Sequence, residues 1–307
     1  MDARLRTRAE AQFGVFTWQD VTSLLVRPWE LRTAIARGEV VRVRRDAYVL
    51  GDLWRDARPT ERLALRVRAC LRSRSDVVAT HQSALALHGL PCWGLPTDVV
   101  DACGPVTRTR TVGGLRIHPR PAGLEPTDVG GTAAVDIPLA IAQVAQRHGV
   151  VPALVALDRG LHERRCRQAE VVAAVRRVAR SSRETTRMEA ILALADAACE
   201  SVGETRTRIL LEDLGYSVRS QVTISDEDGR FVGRVDFMIG DGVVVEFDGM
   251  VKYEGAEGRS ALAAEKRREE RLSALGCVAI RLVWADLDHP QRIRTMVEAA
   301  RQRARRS

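Results

Sequence analysis

The sequence predicts an α/β chain of multi-domain α+β build. A helix-turn-helix with a wing comes first, then a middle α+β domain, then a mixed sheet with flanking helices. Three observations carry this. The length of 307 residues is about twice that of a common single domain. Helix caps and glycine stops punctuate the first quarter. Near the C-terminus, β-branched runs joined by a short glycine turn lie between two helical stretches. With 45% apolar and 29% charged residues the chain has ample material for a core. No run of about 18 apolar residues occurs, so no membrane span is expected. The first residues, Met1 to Arg6, lack the apolar core of a secretion signal, and a cytoplasmic chain is expected. The six cysteines show no C-x-x-C spacing and read as reduced, mostly buried thiols. The six histidines are dispersed with no two at ligand spacing, which argues against a histidine-based metal site.

In the first segment, 1–75, Thr17-Trp18-Gln19-Asp20 has the form of a capping box. It opens a short helix with Val21, Leu24 and Leu25 on its apolar face. Pro28 fits the first turn of a second helix, with Leu31, Ala34 and Ile35 inward and Arg32 and Arg37 outward. Gly38 closes that helix, and residues 40–50 alternate around a polar turn as a hairpin. This order suits a winged helix-turn-helix, one helix in a major groove and the wing on the backbone. Residues 1–75 carry 16 arginines and nine acids, an excess of seven within a formal net charge of +8. Such a concentrated positive field attracts nucleic acid, and duplex DNA is the expected partner. Phosphate contacts are expected from Arg42, Arg44 and Arg45, and base contacts from the helix carrying Arg32 and Arg37.

The middle domain, 76–185, shows no catalytic spacing. A short buried helix covers 83–90, strand-like stretches 97–103 and 112–118 flank a polar turn, and helices are predicted over 138–147, 151–162 and 167–180. His81 and His88 read as packing residues rather than ligands. Composition turns polar at Arg180–Thr186, the candidate linker.

The third domain, 186–307, carries the chemistry. Phe231–Ile239 and Val243–Asp248 are strand-like runs separated by Gly240-Asp241-Gly242. A three-residue connection pairs Val235 with Phe247, Phe237 with Val245 and Ile239 with Val243 on one face. Asp236 then opposes Glu246 on the other face, with Asp248 two residues further along. Three like charges that close call for a compensating cation, and oxygen ligands suit Mg²⁺ or Mn²⁺. Glu204 stands at the capping-box position of a helix opening at Ser201, and is also a candidate fourth carboxylate. Arg206 and Arg208 are then first-turn positions able to meet phosphate. Only Lys252 and Lys266 are lysines among 48 basic residues, and both are candidates to orient a nucleophile or stabilise charge on phosphorus. A charged helix over 264–272 and a strand over 277–284 complete an α/β core.

Val235-Asp236-Phe237, Glu246-Phe247-Asp248-Gly249, Lys252-Tyr253, Glu265-Lys266-Arg267-Arg268-Glu269, Leu275-Gly276 and Arg281 together carry a resemblance. Residues 197–300 resemble the domain of unknown function related to very-short-patch-repair endonucleases, within the PD-(D/E)XK nuclease superfamily. The resemblance implies a restriction-endonuclease-like fold and metal-dependent phosphodiester hydrolysis, with Asp236 and Glu246 as metal ligands. The superfamily's acid-x-lysine reads Glu246-Phe247-Asp248 here. The first 170 residues more loosely resemble the AbiEi antitoxin family, through Gly38, Ala47-Tyr48-Val49, Ser83-Ala84 and His88-Gly89-Leu90; members so named are winged-helix DNA binders. The expected function is thus a Mg²⁺- or Mn²⁺-dependent DNA endonuclease of repair or defence type. The rival is a non-catalytic DNA-binding regulator or antitoxin. RNA cleavage, a homodimer, and a toxin or repair partner stay open.

Overall fold

A computed structural model gives the fold of residues 1–249 and 266–305. The chain divides into two compact units, Met1–Ala195 and Asp196–Ser307. Three mixed or antiparallel sheets are packed with helices, so the architecture is α/β in the broad sense. None of the described helices is long and apolar enough to cross a membrane.

In the first unit, Thr17 caps the helix Trp18–Ser23 by the reciprocal bonds of a capping box with Asp20. Pro28 opens the helix Pro28–Ala36, and Gly38 follows it at φ +70°. The wing pairs Val40–Arg44 with Ala47–Leu50, and Val15–Phe16 adds a third antiparallel strand. Alternation along Ala47–Leu50 joins two cores. Tyr48 and Leu50 pack with Leu5, Phe16 and Val40, whereas Ala47 and Val49 pack with Leu63, Val67 and Leu85. The helix-turn-helix and the middle segment therefore form one unit, with no compact body ending at residue 75.

A six-stranded mixed sheet follows, in the order 110–112, 115–119, 100–104, 78–79, 133–134, 127–128. Helices Ile137–His148, Val150–His162 and Gln168–Val178 stand where hydrophobic periodicity predicts them. The candidate linker is corrected. Ser181 Oγ accepts the Glu184 N–H at 3.2 Å and Glu184 accepts the Arg180 N–H at 2.6 Å, so this polar stretch is a cap. It starts the helix Ser182–Leu192.

The second unit is built around four strands in the order 218–225, 231–239, 243–247, 278–282. The first three are antiparallel; Val278–Leu282 runs parallel to Val243–Phe247, after a helix over 266–274. Phe237, Ile239, Val243 and Val245 face Leu211 of the helix Val202–Asp213 and Ile293 and Val297 of the helix Pro290–Ala304. Met238 and Val244 face the other way, onto Leu272. The predicted register holds for Phe237–Val245 and Ile239–Val243.

Candidate active site

The antiparallel ladder ends at Phe237–Val245, two residue pairs earlier than expected, so the expected Asp236–Glu246 pair does not form. Asp236 Oδ2 accepts the Phe247 N–H at 2.9 Å, so a side chain takes over from the main-chain ladder. Val235 accordingly packs with Met238 and Val244 rather than against Phe247, which corrects the third predicted pair. The strands part at this point, and their acids meet a third element. Ser201 Oγ accepts the Glu204 N–H at 3.1 Å and starts the helix Val202–Asp213. The Glu204 carboxylate, however, does not close a capping box. It accepts the Glu200 N–H at 2.9 Å and the Gln221 side-chain amide at 2.9 Å. Gly203 lets this helix start lie on Phe247, since a Cβ there would stand 1.9 Å from the ring.

Gln221 is the residue that sequence reasoning missed. It lies opposite Asp236 in the outer strand pair, between Ser220–Phe237 and Val222–Val235, and its backbone is left-handed at φ +50°. A non-glycine residue held there costs of order 1–3 kcal/mol and is found mostly at functional sites. Its amide donates to Glu204 and, at 3.5 Å, to Asp236 Oδ1. No periodicity signals such a kink; the polar Gln in a β-branched run was the only hint.

Electrostatics single out Asp236. Burial pushes its carboxyl up to about 6, and the neighbouring carboxylates of Glu204 and Glu246 push the same way, against the Phe247 and Gln221 hydrogen bonds. Glu246 is differently placed. Its Oε1 is bonded by Arg268 from the helix 266–274, and Arg281 Nε stands 3.8 Å from Oε2. The expectation that only a divalent ion could neutralise these acids is thus corrected for Glu246, because two arginines of neighbouring elements do so. Asp248 is half-buried just beyond the strand, its N–H donating to Leu282 O at 2.8 Å. Among the described residues, Asp236, Glu246 and Asp248 do not close into a compact three-ligand group; the group that does is His81, Asp101 and His118 in the first unit.

The cationic candidates divide. Lys252 lies outside the described residues, and Lys266 is exposed at the first described position of its helix. Arg206 is 16% exposed, stacked 5.7 Å from the Trp284 ring centre and 3.5 Å from Asp288. Arg208 is 3% exposed and bonded to Glu212 at 3.1 Å, so its expected phosphate role is corrected to a buried ion pair. On the first unit Arg32, Arg37, Arg42 and Arg45 are exposed. Arg44 instead donates to Val112 O and Gly113 O, both at 3.2 Å, and ties the wing to the middle sheet.

Compared with known proteins, the chain matches no family model, and no curated protein matches it.

Proposed function

We propose that this protein is a DNA-binding, metal-dependent nuclease. The second unit hydrolyses phosphodiester bonds at Asp236, Glu246 and Glu204, and the first unit binds duplex DNA through its winged helix-turn-helix. The observation that carries the reading is the meeting of acids where the strands part: the Gln221 amide bridges Glu204 and Asp236, and Asp236, crowded by Glu204 and Glu246, is a weaker acid than usual. An acid set whose repulsion is only partly neutralised fits a hard divalent ion, Mg²⁺ or Mn²⁺. Asp236 and Glu246 would be its ligands, with Glu204 beside Asp236 and Asp248 at the edge of the set. Such an ion supplies an activated water and neutralises charge on the phosphodiester. The order helix, three antiparallel strands, helix, parallel strand also supports the resemblance to the PD-(D/E)XK superfamily. In this reading Gln221 orients Glu204 and Asp236, and Arg268 is the cation that the ion displaces from Glu246.

Incubation of supercoiled plasmid with the full chain and Mg²⁺ or Mn²⁺ tests it. Nicking that disappears in Asp236→Asn and in Glu246→Gln is expected; nicking that persists in both variants refutes the assignment.

A second reading is favoured by the arginines on Glu246: a regulator or antitoxin that binds DNA and cuts nothing. It predicts salt-sensitive duplex binding by wild type and Asp236→Asn alike, without Mg²⁺ uptake by either.

A further inference from the structure

The first unit holds a second cluster of ionisable side chains, in the middle segment and unrelated to the acids discussed above. Asp101 lies on the strand Val100–Gly104 and is fully buried. The parallel partner Leu115–Pro119 sets Arg116 opposite Asp101 and His118 opposite Cys103, so all four belong to one face. His81, 8% exposed, opens the helix His81–Leu87 above that face. Its ring centre lies 4.7 Å from that of His118. One ring nitrogen of each histidine and one Asp101 oxygen fall within 4.8 Å of one another.

The surroundings of the two imidazoles match each other. Thr80 Oγ1 lies 3.0 Å from His81 Nδ1, and Thr109 Oγ1 lies 3.2 Å from His118 Nδ1. In each ring the other nitrogen, Nε2, is left for the cluster. That of His118 lies 2.6 Å from Asp101 Oδ1, and that of His81 has no hydrogen-bond partner among the described residues. A hydroxyl or carbonyl on one ring nitrogen is how proteins fix the tautomer and direction of a metal-ligating histidine. The backbone of His81 is left-handed at φ +52°, and Gln143 Oε1 holds it there by accepting its N–H at 3.0 Å. Strain of this kind persists where surroundings over-determine a conformation.

We propose that His81, Asp101 and His118 form a three-ligand structural binding site for a zinc-class divalent ion. Two imidazoles and one carboxylate are a zinc-type set, whereas Mg²⁺ prefers oxygen alone. The ion would clip the helix His81–Leu87 to two strands of the mixed sheet. Arg116 Nη1, 3.3 and 3.4 Å from the Asp101 oxygens, is the competitor, and the ion must share or displace it.

The test loads the full chain with Zn²⁺, dialyses it, and measures bound metal per chain by mass spectrometry. One equivalent is expected, retained when Asp236→Asn and Glu246→Gln are combined, so failure at the acid site does not bear on this outcome. His81→Asn keeps a residue that tolerates the left-handed backbone and is expected to lose the ion, as is His118→Gln. Arg116→Gln is expected to bind Zn²⁺ about threefold or more tightly, because a like charge has gone. An ion network without metal predicts the opposite: wild type retaining none, and Arg116→Gln no better. Zinc retained by both folded histidine variants overturns the proposal equally. Should those variants fail to fold, Co²⁺-loaded wild type decides. An intense visible band of a four-coordinate nitrogen site supports the proposal, and a pale six-oxygen spectrum refutes it.

Discussion

Replacing Asp236 by Asn is expected to stabilise the second unit, by an amount that depends on pH. The carboxyl has an ordinary value of 3.8 and is pushed up to about 6 in the fold, by burial first and by Glu204 and Glu246 next. Between those values the folded chain holds a proton that the unfolded chain has released. Stability is therefore lost as pH rises from about 4 to about 6, and stays lost above that. At ~1.4 kcal/mol per unit the shift is a ceiling of roughly 3 kcal/mol. Asp236 is partly exposed, and solvent screening brings this to about 2 kcal/mol. Asn keeps an oxygen for the Phe247 N–H and carries no charge. Hydrogen exchange in the full chain, read on peptides covering 231–247 and 278–282, measures the effect locally. Compared at equal pH, the variant should exchange about thirtyfold more slowly at pH 7.5, that being ~2 kcal/mol, and within about threefold of wild type at pH 4. Equal protection at pH 7.5, or weaker protection in the variant, would show that Asp236 is comfortable as an anion. The case for an under-neutralised acid cluster would then fall.

Arg268→Gln removes the guanidinium from Glu246, and the full chain should then bind Mg²⁺ about threefold or more tightly by calorimetric titration, the competing charge being gone. Unchanged, absent binding in both proteins would favour the regulator reading. Gly203→Ala forces a Cβ against the Phe247 ring, and denaturant unfolding of the second unit should register a loss of about 1–3 kcal/mol, the usual cost of overpacking. Arg42→Ala and Arg45→Ala should each weaken duplex binding and lower the salt slope by about 1, as expected for phosphate contacts. Arg44→Ala, which cuts two hydrogen bonds to the middle sheet, should lower thermal stability and leave that slope alone.

The contrast between Arg44 and its neighbours shows what the sequence could and could not convey. Local signals were legible: the Thr17–Asp20 box, Pro28 and Gly38 each act within one turn of helix, and the structure keeps them. Next to the turn the hairpin register was legible for the same reason, since a short glycine turn between two strand-like runs fixes which residues oppose; further along, where Asp236 takes the Phe247 N–H, it was not. The linker failed because Ser181 and Glu184 are polar as caps are polar, and composition alone does not separate a cap from a loop. Arg208 and Arg44 failed because an arginine's partner is chosen by tertiary packing. The same holds for Arg268, whose meeting with Glu246 depends on how the helix 266–274 lies on the sheet. His81, Asp101 and His118 are 20 and 17 residues apart and share no motif; the parallel pairing of two strands brings Asp101 and His118 to one face, and the helix His81–Leu87 adds the third.

The two clusters differ in a way that bears on what each can do. In the second unit the donors are carboxylate oxygens, one of them strongly destabilised as an anion, beside a left-handed Gln221 and a helix start pressed onto Phe247. Local preference is overridden there at several adjacent residues, which is the pattern of a site kept for function at some cost in stability. In the first unit two of the three donors are imidazoles, largely buried and each with a threonine hydroxyl on Nδ1, around an aspartate already satisfied by Gln82, Arg116 and His118. Such a cluster would gain rigidity from an ion. On the two proposals made above, oxygen donors and partial neutralisation would select a weakly held, exchangeable Mg²⁺, whereas nitrogen donors and burial would select a tightly held ion of the zinc class. The two sites should therefore separate in a single chelation experiment. Brief dialysis against EDTA should strip the acid cluster at once and leave the histidine cluster loaded, and loss of both metals at the same rate would contradict the division drawn here.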